Sequence, residues 1–441
     1  MSMSEPTPTS RRQFLKTSSV AAITSTLAAP LILTSRSGAA SPGDTLKVGL
    51  IGCGGRGSGA AKNALLADAS VALTAIGDAF PDRLERGLNN LKTDREIGDK
   101  VKVSPENAFS GLDAYEKVIH SGVDVVILAT PPGFRPLHLK AAVEAGKHVF
   151  CEKPMATDAA GVCSVLESSR KAKEKNLSLV AGFCYRYHAG VRAIMQKIHQ
   201  GAIGEIRALH TDYNTGLVGG AFPQKSGQSD LEWQIRNWWH FTWLSGDHIV
   251  EQAVHSIDKM AWAMKDEPPL KCHAIGGRAV PHGSGIGHIF DHFGVVYEYA
   301  NGTRGFHFCR QQAGCFSQNH DYIMGNDGVA HIVRAMSGPF LIKGKNAWRF
   351  REEGSKDMYQ VEHDELFASI REGKPINDGE RMAKSTLLAI MGRMAAYTGQ
   401  EITWEDALNS KEVLMPERLA FDPSVKLAVP PVAMPGRTKF S

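Results

Sequence analysis

The sequence predicts a doubly wound α/β domain of parallel strands in its first half. Short apolar runs alternate with helical stretches from Thr45 to Ala181, and a Gly-x-Gly-x-x-Gly run joins the first strand directly to the first helix. An acid closes the second strand, where such domains meet a bound nucleotide.

Thr45–Ile51 is β-rich and apolar enough for a buried parallel strand. It runs into Gly52-Cys53-Gly54-Gly55-Arg56-Gly57, and Ser58 to Leu66 reads as a helix. In that context Gly52 makes the tight turn, Gly54 lets the backbone approach a pyrophosphate, and Gly57 permits close helix packing. Gly55 and Arg56 lie in the same loop, where a helix N-terminus offers free N–H groups to an anion. The strand Val71–Ile76 ends at Gly77-Asp78. A carboxylate there accepts hydrogen bonds from ribose hydroxyls and repels a 2′-phosphate, which favours NAD over NADP. Arg83 nearby weakens that preference. Val123–Ala129 is a further buried strand, ending in Thr130-Pro131-Pro132, and a helix from Pro136 to Ala145 closes at Gly146. The strands His148–Cys151 and Leu177–Ala181 complete the alternation.

Composition bounds the alternatives. The chain has 441 residues, 43% hydrophobic and 22% charged, enough for two domains with their own cores and outside the collagen-like, coiled-coil and disordered classes. Net charge is +4, and most of the excess sits in residues 1–40 (Arg11, Arg12, Lys16, Arg36 against Glu5). The near-neutral remainder gives no basic face for nucleic acid. Seven cysteines without a Cys-x-x-Cys pair read as buried apolar side chains, not as a disulfide framework or zinc site.

Residues 1–40 read as an export signal. Ser10-Arg11-Arg12-Gln13-Phe14-Leu15-Lys16 is a basic start with paired arginines, Val20–Leu33 is a short apolar core, and Gly38-Ala39-Ala40 suits cleavage. The core carries Thr24, Ser25, Thr26 and Pro30 and falls short of the roughly 20 apolar residues of a membrane span. The expectation is recognition by the twin-arginine machinery, which carries folded proteins, and a periplasmic or exported location.

A second cluster lies at Asp247–Asp258 in a stretch read as one helix. Glu251 and His255 are four apart and His255 and Asp258 three apart, so all three share one helix face. The spacing fits a histidine base oriented by an acid, a Glu/His metal pair, or ordinary polar pairs of a helix. Between Gly216 and Trp243 a Gly/Ser-rich segment leads into Trp233, Arg236, Trp238, Trp239 and Trp243. Rings beside Arg and Asn suit either carbohydrate stacking or packing; Arg236 and Trp239 are the expected substrate contacts. Val295–Tyr299, Asn301-Gly302 and Thr303–Cys309 predict a hairpin with a type I′ turn. Helices follow at Phe367–Ile370 and Ser385–Tyr397, and Met415–Arg437 is a Pro-rich extended tail.

After the strand at 148–151 comes Glu152-Lys153-Pro154. A lysine at the carboxyl end of a parallel strand points into the ligand crevice, and Pro154 holds it extended. With the glycine loop, Ala129-Thr130-Pro131-Pro132, His138 and Ala145-Gly146-Lys147-His148, the stretch Leu46–Thr403 resembles the Gfo/Idh/MocA family (glucose–fructose oxidoreductase, inositol dehydrogenase, rhizopine catabolism). The resemblance implies an NAD(P)-binding Rossmann domain over 44–180 and an α+β domain with a large open, mostly antiparallel sheet over 181–408. Residues 409–441 are left as a tail. It also implies a sugar or polyol substrate and a homo-oligomer, dimer or tetramer, paired through the open sheet. It adds Thr130, Pro131, His138, Glu152 and Lys153 to the cofactor residues. The family's second motif, Asp-x-Gly-x-His-x-x-Asp, maps onto Glu251, Ala253, His255 and Asp258, with Glu replacing the first Asp and Ala the Gly. It thereby implies His255 as proton acceptor, with Lys153 and Glu251 as partners and no metal. Tyr185 and Arg186, after the sixth strand, are implied near nicotinamide and substrate, with Asp258.

The function expected is therefore an exported NAD(P)-dependent sugar or polyol oxidoreductase. A location without free nicotinamide requires a tightly bound cofactor. One alternative is a glycoside hydrolase or lyase that uses NAD transiently. Another is a sugar-binding protein that has lost catalysis on the same fold.

Overall fold

The computed structural model describes residues 43–280, 285–333, 339–351 and 356–440. The export signal expected at 1–40 lies outside the described residues.

In chain order the first layer is β1 (Leu46–Ile51), α1 (Gly55–Ala67), β2 (Val71–Asp78), α2 (Pro81–Thr93), β3 (Ala108–Ser110), α3 (Ala114–His120), β4 (Val125–Leu128), α4 (Arg135–Glu144), β5 (His148–Cys151), α5 (Ala159–Glu174) and β6 (Leu179–Ala181). Its six strands pair in parallel in the order β3-β2-β1-β4-β5-β6. These strands are apolar runs because both faces are covered: Val48, Leu50 and Ile127 pack on one side, Ile51, Val126 and Val149 on the other. Strand order reverses between β1 and β4, which opens a crevice at the carboxyl ends there.

The second layer follows with α6 (Ala189–His199), β7 (Ile206–Thr215), α7 (Asp230–Arg236), α8 (Thr242–Ser245), α9 (His248–Glu251), α10 (Val254–Ala263), β8 (Lys271–Gly277), β9 (His292–Glu298), β10 (Arg304–Gln311), β11 (His320–Gly325), β12 (Gly328–Val333), β13 (Leu341–Gly344), β14 (Trp348–Arg349), α11 (Met358–Glu372), α12 (Gly379–Thr398), β15 (Ile402–Thr403) and α13 (Trp404–Leu408). The nine strands run β14-β13-β12-β11-β7-β10-β9-β8-β15, antiparallel except for β7 beside β10. Along β9, Phe293, Val295 and Tyr297 point into the core while their neighbours face outward. The outer face leaves Ile275 75% and Phe308 42% exposed, the half-solvated pattern of an open antiparallel sheet.

Two late helices tie the layers together. α12 is buried nearly all round and packs against α5, α10 and β8. α11 packs on α1, and its Leu366, Phe367 and Ile370 enter the core of the six-stranded sheet. A segment more than 170 residues downstream of β6 thus completes the first layer.

Two local expectations are corrected. The β9–β10 hairpin forms, but its loop spans Tyr299–Thr303. Gly302 N–H donates to the Tyr299 carbonyl and Gly302 alone of the Asn-Gly pair has positive φ, +81°. That is a turn with one left-handed residue; type I′ needs two. The helix expected across 247–264 is broken into α9 and α10 at Gln252-Ala253. Asp247 sets the entry: at φ +79° its carboxylate accepts from the His248 and Phe290 N–H groups and from the Tyr397 hydroxyl.

Candidate active site

A cavity of about 580 Å³ opens at the carboxyl ends of the parallel strands, between the glycine loop and the α7–α10 region. The glycine loop lines it. Gly52 adopts φ +98°, and a Cβ on Gly57 would lie 1.8 Å from the Gly52 carbonyl oxygen, so only hydrogen fits where α1 meets the loop. A Cβ on Gly54 would meet nothing within 4 Å: it would project into the cavity. Gly54 is also the N-cap of α1, with no side-chain cap and no acid in the first turn. Free N–H groups, no side chain and a positive helix end make a cradle for an anion, which fits a dinucleotide pyrophosphate.

Asp78 lies at one end. Its carboxylate accepts from Cys53 N–H at 2.8 Å and Phe80 N–H at 3.0 Å, and retains lone pairs for a ribose hydroxyl. Burial raises its pKa, opposed by those two hydrogen bonds. The ends of β2 and β5 are three strand spacings apart, about 14 Å, room for an extended dinucleotide. Thr130 and Pro131 line the cavity between them. Thr130 Oγ1 meets His138 Nδ1 at 3.2 Å, and burial, with the Arg135 charge, pushes His138 down to about 3, so it is neutral.

Arg56, beside Gly55 in the loop, pairs with Glu152 and, at 2.6 Å, with Glu362 of α11. Glu152 therefore anchors the loop from below, while its other oxygen accepts from Lys153 N–H at 3.2 Å. Arg135, buried on α4, donates to the Pro154 carbonyl at 2.6 Å and holds the strand end from the other side. The Lys153–Pro154 peptide is cis.

At the β5 end the two motifs meet. Lys153 Nζ donates to the Glu251 carbonyl at 2.5 Å and to Glu251 Oε1 at 2.9 Å, across 98 residues of sequence. Gln252 and His255 line the same wall. Three polar atoms there are buried without a partner among the described residues: Glu251 Oε2, Gln252 Oε1 and His255 Nδ1. Such groups are costly unless something completes them. Phe183 and Tyr185 meet the His255 ring edge-on, at 6.2 and 5.2 Å between centroids. Burial, then the charges of Lys153, Lys259 and Arg56, hold the His255 pKa well below its ordinary value, so the ring is neutral.

Three of the expected substrate contacts, Arg186, Asp258 and Tyr185, lie off the cavity wall. Arg186 and Asp258 form a buried ion pair, with guanidinium distances of 2.8–3.0 Å, and are 4% and 1% exposed. Asp266 and Ser385 complete it; a buried Arg needs that many acceptors. Neither residue lines the cavity. Tyr185 lies behind His255, not on the cavity wall. Arg236 does line the cavity, but at the Asp78 end, bound to Asp82 (2.9 Å) and Glu232 (2.8 Å) and stacked 4.0 Å over Phe80. Trp239 lines the cavity and stacks on Trp238 at 4.3 Å. Gln252 was missed, although it stands inside the motif between Glu251 and His255. Arg135 and Glu362 were missed because their roles arise from long-range contacts.

Comparison with known proteins agrees with this geometry. Residues 46–181 match the model of an oxidoreductase family with an NAD-binding Rossmann fold, and residues 191–331 match the GFO/IDH/MocA C-terminal domain. An inositol 2-dehydrogenase of Azotobacter vinelandii is 27% identical over 266 residues, 59% of this chain and 65% of that protein. One from Serratia proteamaculans is 26% identical over 263 residues, 59% of this chain and 66% of that protein. The matched stretch thus spans just under two thirds of either relative. Among solved structures, a levoglucosan dehydrogenase in complex with NADH and levoglucosan superposes with a TM-score of 0.64, at 18% identity, covering 82% of this chain and 99% of the other. An aldose-aldose oxidoreductase from Caulobacter crescentus gives 0.63, at 18% identity, covering 81% and 99%. With both domain models matched in order along one chain, and the glycine loop, Glu152-Lys153-Pro154 and His255 converging on one cavity, the chain belongs to the Gfo/Idh/MocA oxidoreductase family.

Proposed function

We propose that this protein is an NAD-dependent oxidoreductase that oxidises a secondary hydroxyl of a sugar or polyol and keeps its cofactor between turnovers. The observation that carries this is the wall of Lys153, Glu251, Gln252 and His255, with three unsatisfied polar atoms, on the cavity that also holds the anion cradle. The named activities of the relatives, inositol and levoglucosan dehydrogenation, support the substrate class. Gly52, Gly54, Gly57, Asp78, Thr130 and Pro131 would hold the dinucleotide. When bound, its nicotinamide supplies a two-electron acceptor. His255, neutral and desolvated, takes the hydroxyl proton. Lys153 donates a hydrogen bond to the same oxygen and stabilises the charge developing there. Glu251 orients Lys153 through Oε1, and Trp239 offers a ring face to the sugar.

Cofactor retention is tested on protein dialysed exhaustively after purification. The expected result is near-stoichiometric dinucleotide by absorbance and mass; an empty protein that binds NAD weakly overturns retention. Asp78 sets the preference for NAD. Asp78→Ser removes the charge facing a 2′-phosphate, with Arg83 close by, and is expected to shift the NADP/NAD ratio of kcat/KM upward about tenfold or more. An unchanged ratio rejects that role.

A second reading, glycoside cleavage through transient oxidation, is favoured by the free Oε2 of Glu251, a second acid–base group beside Lys153. Glu251→Gln separates the two. Gln keeps an acceptor for Lys153, so simple dehydrogenation falls only several-fold, whereas cleavage of a glycoside would be lost with cofactor reduction retained. We also propose twin-arginine export on the Arg11-Arg12 motif, and pairing of copies through the outer face of the nine-stranded sheet, where Ile275 and Phe308 are exposed.

A further inference from the structure

Residues 409–440, the Pro-rich tail after α13, form no helix or strand, yet they are tied down along their length. Glu412 pairs with the buried Arg393, Leu414 N–H donates to Asp158 Oδ2 at 2.9 Å, and Gly436 N–H donates to the Thr398 carbonyl at 2.8 Å. Between these anchors the tail runs beside α7. Leu427 N–H donates to Asp230 Oδ2 at 3.0 Å, and its carbonyl accepts from Gln234 Nε2 at 2.9 Å. Phe421 stacks on Phe80, with ring centroids 5.5 Å apart. Pro416, Pro423, Pro430, Pro431 and Pro435 restrict the free tail, so that less entropy is lost when it docks.

We infer that this tail is a clasp for the bound dinucleotide, in which Phe421 and Leu427 position the wall around the adenosine half; the inference rests on the cofactor reading proposed above. Phe80 is the link. It lines the cavity, is 4% exposed, and its N–H donates to Asp78 Oδ1, on the carboxylate assigned to the ribose. Arg236 lies over its ring at 4.0 Å, and Phe421 stacks on the same ring. Arg236 also joins α7 to Asp82 of α2, so the tail, α7 and the segment after β2 are fastened together at the Asp78 end of the cavity. Apolar packing follows the same line. Phe80, Phe134 and Ile235 belong to one buried cluster and also line the cavity, and Leu414, Met415, Leu419 and Leu427 pack against that cluster. No tail residue among those described lines the cavity itself, so the tail acts through Phe80 and α7. Such coupling is reciprocal. If the docked tail tightens NAD binding, NAD holds the tail docked by the same factor.

The test is the rate at which NAD leaves the loaded full chain, with hydrogen exchange at the Leu427 amide as a second readout. Neither needs substrate. Phe421→Ala is expected to speed NAD dissociation about tenfold, within the usual range of coupling between two sites. Phe421→Tyr keeps the ring and is expected to release NAD as the wild type does. Val429→Ser, at an exposed tail position outside the cluster, is expected to change nothing. Saturating NAD is expected to slow exchange of the Leu427 amide about tenfold in the wild type and by less in Phe421→Ala. AMP and nicotinamide mononucleotide separate a clasp from general loosening: Phe421→Ala is expected to weaken AMP binding and leave the mononucleotide unchanged, where a looser fold weakens both. If Phe421→Ala does not fold, Leu427→Ala carries the same expectations, because it keeps the backbone bonds and removes only the apolar contact. NAD release unchanged in the folded variant overturns the proposal, as does a Leu427 amide indifferent to NAD. Should the wild type itself shed NAD on dialysis, the retention reading fails, and the ratio of variant to wild-type rates still decides the role of the tail. A wild type that binds no NAD rejects both.

Discussion

His255→Ala is expected to lower the rate of cofactor reduction by about 10²–10⁴-fold, the usual worth of a positioned general base, while dinucleotide affinity stays within about twofold. The two effects separate because His255 lies on the α10 wall, whereas the anion cradle and Asp78 lie on the loop and β2. Single-turnover absorbance of reduced nicotinamide, with a panel of inositols and sugars, reads the first effect; calorimetric titration with NAD reads the second. The pH profile carries the sign. Burial and the surrounding cations depress the folded pKa of His255. The ring is therefore in its accepting form through neutrality, and kcat/KM is flat there and falls only on the acid side. A variant with wild-type turnover, or an acid limb centred above pH 7, rejects His255 as the base.

How much of this was legible depends on how local each cause is. The glycine loop, Asp78 and Glu152-Lys153-Pro154 are punctuation between a strand and its neighbour. Their function follows from position on a parallel strand, and alternation of apolar runs gives that position. The second motif was half legible. Glu251 and His255 do share the cavity wall, but not as one helix face: the chain breaks between α9 and α10 at Gln252-Ala253. His255 and Asp258 stay on one unbroken helix, α10, yet only His255 reaches the cavity. The structure gives Asp258 instead to Arg186, 72 residues earlier in the chain. Nothing local distinguishes a charged residue destined for a ligand from one destined for a buried partner. Arg236 shows the same limit. Its aromatic neighbours suggested sugar, and the partner that fixes it, Asp82 of α2, is 154 residues away. The closure of the first layer by α11 was invisible for the same reason.

The glycine loop supplies the second large expected effect, because two of its glycines are required for different reasons. Gly54→Val is expected to weaken NAD binding at least 100-fold, about 3 kcal/mol, with little change in Tm. Beyond its own and the two adjoining residues its Cβ would meet no atom within 4 Å, and Gly54 has an ordinary φ of −69°, so the folded chain accepts a side chain there. That side chain would stand in front of the first-turn N–H groups of α1, in the space an anion must enter. Gly57→Ala behaves oppositely. Its methyl would lie 1.8 Å from the Gly52 carbonyl oxygen, a backbone atom that cannot move without shifting α1 or the turn. The expected cost is about 1–3 kcal/mol of stability, with cofactor affinity lost as a consequence of the shifted loop. Thermal unfolding and NAD titration on both variants therefore give a crossed pattern: affinity without stability for position 54, stability first for position 57. If Gly54→Val binds NAD as the wild type does, the dinucleotide does not use this cradle and the cofactor assignment fails. If both variants lose stability equally, the open space at Gly54 is not there in solution. Cofactor absence would then reflect folding, not a blocked anion site.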